Sequence, residues 1–63
     1  MNLANFASMD AVMLMSIVNM KLRDEFNGDL EKLARFYDID KQALLTKLAS
    51  AQFEFLPEIG QFR

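Results

Sequence analysis

The stretch LEKLARFYDIDKQALLTKL, from Leu30 to Leu48, decides the fold. Its apolar residues form two short stripes at helical spacing, separated by Asp38-Ile39-Asp40. Leu30, Leu33, Ala34 and Tyr37 stand at i, i+3, i+4 and i+7, one face of a helix. Leu44, Leu48 and Ala51 repeat that face after a fresh start at Asp40. The Asp40 carboxylate suits an N-cap, because it accepts from the free N–H groups of the following turn. Two helices joined by so few residues cross at a large angle, which predicts a helix-turn-helix-like unit with Ile39 tucked into the elbow. Ile39 and Leu48 are its expected core residues. Asp38 falls where such a turn visits the left-handed region, which Asp tolerates better than most residues. The exposed face of the second helix holds Glu31, Lys32 and Arg35. That of the third holds Lys41, Gln42, Leu45, Thr46 and Lys47.

On the N-terminal side, residues 1–8 read as an irregular lead-in, with Phe6 docking as a staple outside the first helix. Ser8 and Asp10 suit the start of that helix as cap and first-turn acid. Asn27-Gly28 suits its end, with glycine in the left-handed position, and Asp29 caps the next helix. On a helical wheel Ala11, Leu14, Met15, Val18, Leu22 and Phe26 form one stripe, with Met13, Ile17 and Met20 as a second beside it. Val12, Ser16, Asn19 and Arg23 form the polar strip, joined near the C-terminal end by Lys21, Asp24 and Glu25. An apolar arc this wide exceeds what one layer of neighbours covers, so the helix is either central to the monomer or paired with another subunit.

On the C-terminal side the period changes. Phe53 and Phe55 alternate with Gln52 and Glu54, a strand signal. Pro57 and Gly60 then suit a turn, and Gln61-Phe62-Arg63 returns as a short second strand. Phe53, Phe55 and Phe62 are the expected anchors of this hairpin. The fold class is therefore mainly α: a single domain over residues 1–63, with helices near Asp10–Phe26, Leu30–Tyr37 and Lys41–Ala51 and a hairpin tail over residues 52–63. This is a three-helix bundle with helix-turn-helix-like second and third helices and a short C-terminal β-hairpin.

A chain of 63 residues with 52% hydrophobic content, five Met and six Phe is greasy for its size. Such a small domain buries only about 60% of its unfolded surface. It has neither Cys nor His, so disulfides and zinc sites are excluded as staples. A core shared with a second copy is the expected remedy. The net charge of −2 argues against a nonspecific nucleic-acid binder, which depends on cation contacts to phosphate. The opening MNLANFASMD lacks the basic segment of a secretory signal, and the apolar run from Ala11 to Val18 is too short to cross a bilayer. A cytoplasmic protein is expected.

The run MLMSIVNMKLRDEF, then Leu30, Ile39-Asp40, Leu44, Lys47-Leu48 and the ending FEFLPEIGQFR, resembles a family of short uncharacterised bacterial proteins described as a domain of unknown function. Val18-Asn19, Lys21-Leu22-Arg23-Asp24 and Pro57-Glu58 with Gln61-Phe62 are the most specific pieces. The chain departs from the family pattern at Leu56, where an aspartate precedes the proline, and at Met9, where a proline precedes the first helix. The resemblance implies a complete small protein and no assigned activity.

Asp24 and Glu25, Asp38 and Asp40, and Glu54 and Glu58 supply carboxylate pairs of the kind used in acid–base catalysis or cation binding. Each has a simpler reading as a helix end, a turn or a surface charge. With no His, no Cys, no Gly-rich phosphate loop and no Ser beside a base, the sequence reads as non-enzymatic, without cofactor, metal or small-molecule substrate. The favoured function is a protein-interaction or homo-oligomeric module, pairing with itself or another protein through Met13, Ile17, Met20 and Leu45. The alternative is a reduced winged helix whose third helix enters the major groove, with Lys41, Gln42, Thr46 and Lys47 on base edges and phosphates. Leu45 on the same face, Asp40 at its start and the scarcity of other cations count against it.

Overall fold

Three aspartates start the three helices. The structure, a computed structural model, describes residues 3–63, with side chains from Asn5 onward. Asp10 accepts from the Met13 N–H at 3.0 Å and opens α1 (Ala11–Glu25). Asp29 accepts from Lys32 at 3.1 Å and opens α2 (Leu30–Tyr37). Asp40 accepts from Gln42 at 3.0 Å and opens α3 (Lys41–Ala49). Each carboxylate satisfies an orphan donor of the first turn and complements the positive end of the helix. Arg23, Arg35 and Lys47 occupy the corresponding last turns.

Left-handed residues end the helices. Asp38 (φ 56°) closes α2: its N–H reaches the Arg35 carbonyl at 3.2 Å, and the Ile39 N–H reaches Ala34 at 2.9 Å. Gln52 (φ 68°) closes α3 in the same way, its N–H on Ala49 at 2.9 Å and that of Phe53 on Leu48 at 3.0 Å. Both are Schellman closures. The second corrects the sequence reading, in which Gln52 and Phe53 begin a strand and α3 continues to Ala51. Phe53 is apolar because the residue after a Schellman turn packs back on the helix it closes, and it lies against the core here.

The strands are shorter than expected. β1 (Phe55–Leu56) pairs antiparallel with β2 (Gln61–Phe62), Phe55 opposite Phe62 and Leu56 opposite Gln61. Outside them, Glu54 and Arg63 exchange backbone hydrogen bonds of 2.7 and 2.9 Å, so the ladder extends one pair further. The loop closes through Gly60 N–H to the Leu56 carbonyl, 2.8 Å.

The lead-in also differs from expectation. Leu3–Ser8 is a 3-10 helix with a kink at Asn5, and Phe6 from it is buried in the core. Ser8 does not cap α1; its hydroxyl donates to the Asn5 carbonyl at 3.0 Å, and Asp10 is the cap, not a first-turn acid. Met1 and Asn2, and the side chains of Leu3 and Ala4, lie outside the described residues.

The core gathers one stripe from every element: Leu14, Val18 and Leu22 of α1, Leu30, Leu33 and Ala34 of α2, Leu44 and Leu48 of α3, with Phe6 and Phe62 closing its ends. Ile39 is half-buried against it, at the elbow expected for it. Leu45, expected on the exposed face of α3, is instead half-buried against the same cluster. No helix among the described residues is long and apolar enough to cross a membrane.

One contact is backbone on backbone. Gly28 (φ 82°), after α1, and Gly60 (φ 66°), at the exit of the hairpin loop, approach so closely that a Cβ on Gly60 would lie 2.7 Å from the Gly28 Cα. No side chain fits that gap, and the positive φ already disfavours an L-residue there.

Two outcomes follow from this packing. Leu48→Ala, at a fully buried position, is expected to lower stability by about 2–5 kcal/mol; a urea midpoint unchanged within error would show that the α2–α3 packing is misjudged. Gly60→Ala adds both a clash and an unfavourable φ, and is expected to cost at least about 1–3 kcal/mol, read as a fall in the thermal midpoint.

Candidate functional site

The outer face of α1 carries three of the five exposed large apolar residues among the described residues. Val12, Met13 and Met20 are 56%, 57% and 54% exposed. The core-facing Leu14, Val18 and Leu22 of the same helix are fully buried. The exposed three are neighbours: Val12, Ser16 and Met20 follow at i, i+4 and i+8, and Met13, Ile17 and Met20 at i, i+4 and i+7, so both rows run along one side. The other exposed large apolar residues, Phe36 on α2 and Ile59 in the hairpin loop, stand on elements of their own. Phe36 also leans edge-on against Phe26 and Tyr37, with ring centroids 5.6 and 5.0 Å away.

Ser16 lies in the middle of the arc without making it polar. Its hydroxyl donates to the Val12 carbonyl one turn back at 3.0 Å, so its hydrogen needs no water. Ile17 corrects one detail of the sequence reading: it is half-buried and packs against the core, so it borders the exposed arc and does not crown it. At the far end Arg23 grips Asp24 at 2.8 Å. That hydrogen bond holds the Asp24 carboxyl below its ordinary value and raises Arg23 above its own. Both are solvated, and an exposed pair of this kind contributes little to stability. On the opposite flank Lys21 lies over the Tyr37 ring, 5.6 Å from its centroid, and bonds Glu25 at 3.2 Å. Tyr37 first and Glu25 second keep its ammonium protonated above the usual range.

The inner flank of α1 holds a residue the sequence reading misplaced. Asn19, assigned to the solvent strip, is half-buried beneath β2. Its amide nitrogen donates to the Phe62 carbonyl at 3.0 Å and its oxygen accepts from the Phe62 N–H at 2.8 Å. Because Glu54 and Arg63 form the hydrogen-bonded pair, ladder alternation turns the Phe62 N–H and C=O away from β1. Asn19 meets them as a third strand would. The sequence signal was slight: one amide on a helix flank between Met15 and Arg23, at a spacing that also suits solvent.

The remaining sequence candidates stay apart from this face. On α3, Lys41, Gln42 and Thr46 are exposed and Lys47 is half-buried, with Asp38 and Asp40 at the helix entrance. Three of the candidate carboxylates have other engagements: Asp24 holds Arg23, Glu25 holds Lys21 and Asp40 caps α3. Among the described residues no group of three His, Cys, Asp or Glu side chains could hold a metal ion. A shallow cleft of about 320 Å³ lies where the two loops meet, lined by Arg23, Gly28, Pro57, Glu58 and Ile59 among others, and it contains no nucleophile set beside a base.

A family model matches residues 8–62, from just before the Asp10 cap to the strand residue that Asn19 holds. The chain belongs to the family described as Domain of unknown function (DUF4250). No curated protein and no solved structure matches it. The DUF4250 match bears out the resemblance to a domain of unknown function and takes in all three helices, both strands, Asn19 and the Gly28–Gly60 contact. Within this DUF4250 chain, the clamp on β2 is the polar feature on which the packing of the tail turns. Asn19→Ala is expected to leave both Phe62 backbone groups unpaired, at a cost of about 1–3 kcal/mol. Hydrogen exchange at the Phe62 amide reads this directly, and unchanged protection in the variant would refute the clamp.

Proposed function

We propose that the protein is a cytoplasmic, non-enzymatic interaction module that self-associates through the outer face of α1. The observation that carries this reading is the contiguous exposure of Val12, Met13 and Met20 in a chain whose other buried stripes are all matched. Contiguous apolar surface on a small domain marks an interface, and Met suits one because its flexible thioether adapts to the surface it meets.

A second copy fits this face better than an unrelated partner. An antiparallel two-fold pairing with its axis between Ser16 and Ile17 sets Met13 against Met20 of the partner subunit. The same register brings the acidic start of one helix, at Asp10, toward Arg23 of the partner subunit, and opposes the two helix dipoles. Ser16 at the crossing point is small, and its hydroxyl is already satisfied within the helix, so its burial is cheap. Ile17, at the border, adds to the seam, whereas Leu45 is engaged in the core and drops out of the interface.

The α3 face is the weaker candidate. Its exposed cations reduce to Lys41 with the half-buried Lys47, beside two aspartates, in a chain of net charge −2. Such a surface offers a phosphate backbone little.

Sedimentation equilibrium from about one to several hundred micromolar tests the reading, since an interface of this size makes a weak dimer. The expected result is a monomer–dimer equilibrium and a melting point that rises with concentration. Met20→Lys is expected to abolish both without lowering the stability of the dilute protein. A wild-type monomer throughout the range, with a fixed melting point, would overturn the proposal. A duplex shifted at low salt by that monomer would move the function to α3.

A further inference from the structure

We propose that Met13 and Met20 form an oxidation-sensitive site, where a hydroperoxide converts both thioethers to sulfoxides and dissolves the α1 pairing. This inference rests on the self-association just described. The methionines of this chain are chemically unequal. Met13 and Met20 are more than half exposed on the outer arc of α1. Met9 and Met15 are half-buried and packed against the core. The Met15 sulfur is further engaged, with the Asn19 amide nitrogen donating to it at 3.1 Å. A sulfur lone pair held by a donor and enclosed by neighbours reacts more slowly than one facing water, because oxidation follows access.

The step is a two-electron oxidation. A thioether lone pair attacks the outer oxygen of the hydroperoxide, the S–O bond forms as the O–O bond breaks, and sulfur loses two electrons. The proton on the attacked oxygen passes to the departing one, which leaves as water or an alcohol. The product places a strong acceptor among the apolar side chains of this face. Ser16 is the hydroxyl of that face, and its hydrogen is committed to the Val12 carbonyl. Burying an acceptor without a donor is costly, so the pairing that covers Met13 and Met20 loses its driving force. Oxidation takes place on the free monomer, where both sulfurs meet water, and mass action then drains the dimer. A dithiol-dependent sulfoxide reductase would restore the thioethers, releasing water and a disulfide.

The test treats the wild-type protein and a Met13→Leu/Met20→Leu variant with hydrogen peroxide, maps the oxidised residues by peptide mass spectrometry and measures association by sedimentation. Met13 and Met20 should gain oxygen ahead of Met9 and Met15. The dimer dissociation constant should rise by about tenfold or more. The double-leucine variant, apolar and of similar volume at both positions, should stay paired under the same treatment. A reduced protein that is monomeric at every concentration overturns the self-association reading and this inference with it. A reduced dimer that persists unchanged with sulfoxide at Met13 and Met20 overturns this inference alone. So does oxidation of all four residues at one rate, or a peroxide-sensitive double-leucine variant.

Discussion

The approach of Gly28 to Gly60 sets the geometry on which the rest of the molecule depends. It joins two loops, the α1–α2 connection and the hairpin loop, through main chain alone, where a Cβ would lie 2.7 Å from the facing Cα. Steric exclusion of this kind is unforgiving, since packed interiors accommodate little extra volume. With the loop seated there, β2 runs back along α1 and its Phe62 ring enters the core beside the α1 leucines. Phe55 follows from the opposite strand, its ring 5.2 Å from Phe62. The short hairpin is thus an outgrowth of the helical core and not an independent unit, as expected of a two-stranded ribbon too small to stand alone.

The same arrangement divides α1 into faces with different duties. Its leucine and valine stripe builds the core, its Asn19 flank holds β2, and its outer arc of Val12, Met13 and Met20 is more than half exposed. A helix apolar around most of its circumference looks over-provisioned when counted against α2 and α3 alone. It is accounted for once β2 is seen to occupy one flank and a second copy is proposed for the other.

Most of the fold was legible because most of it is local. Asp29 and Asp40 as caps, the left-handed Asp38, the Leu30–Leu33–Ala34 and Leu44–Leu48 stripes and the Pro57–Gly60 loop all depend on neighbours a few residues away. What escaped was long-range or two-faced. The Asn19–Phe62 clamp spans 43 positions, and nothing near Asn19 distinguishes an amide facing a strand from one facing water. The Gly28–Gly60 contact is invisible because each glycine already has a local reason to exist in its own turn. Gln52-Phe53 mimicked a strand because a Schellman closure places an apolar residue just where alternation would. On the candidate site, the exposure of Met13 and Met20 was legible from the wheel. The withdrawal of Ile17 and Leu45 toward the core was not, since both stand at the edge of a stripe where a small rotation of the helix decides the outcome.

Asn19 has a further consequence, for solubility. A sheet edge that leaves N–H and C=O groups free is a template on which other chains can align, and a sequence with six phenylalanines and 52% hydrophobic residues is poorly placed to tolerate one. At β2 the edge is closed from within the molecule, because a side-chain amide occupies both hydrogen-bonding positions and has no further strand to offer. At β1 the ladder is cut short by Pro57, which has no N–H to extend it. Among the described residues the β-structure is therefore short, and its β2 edge is closed from within the molecule.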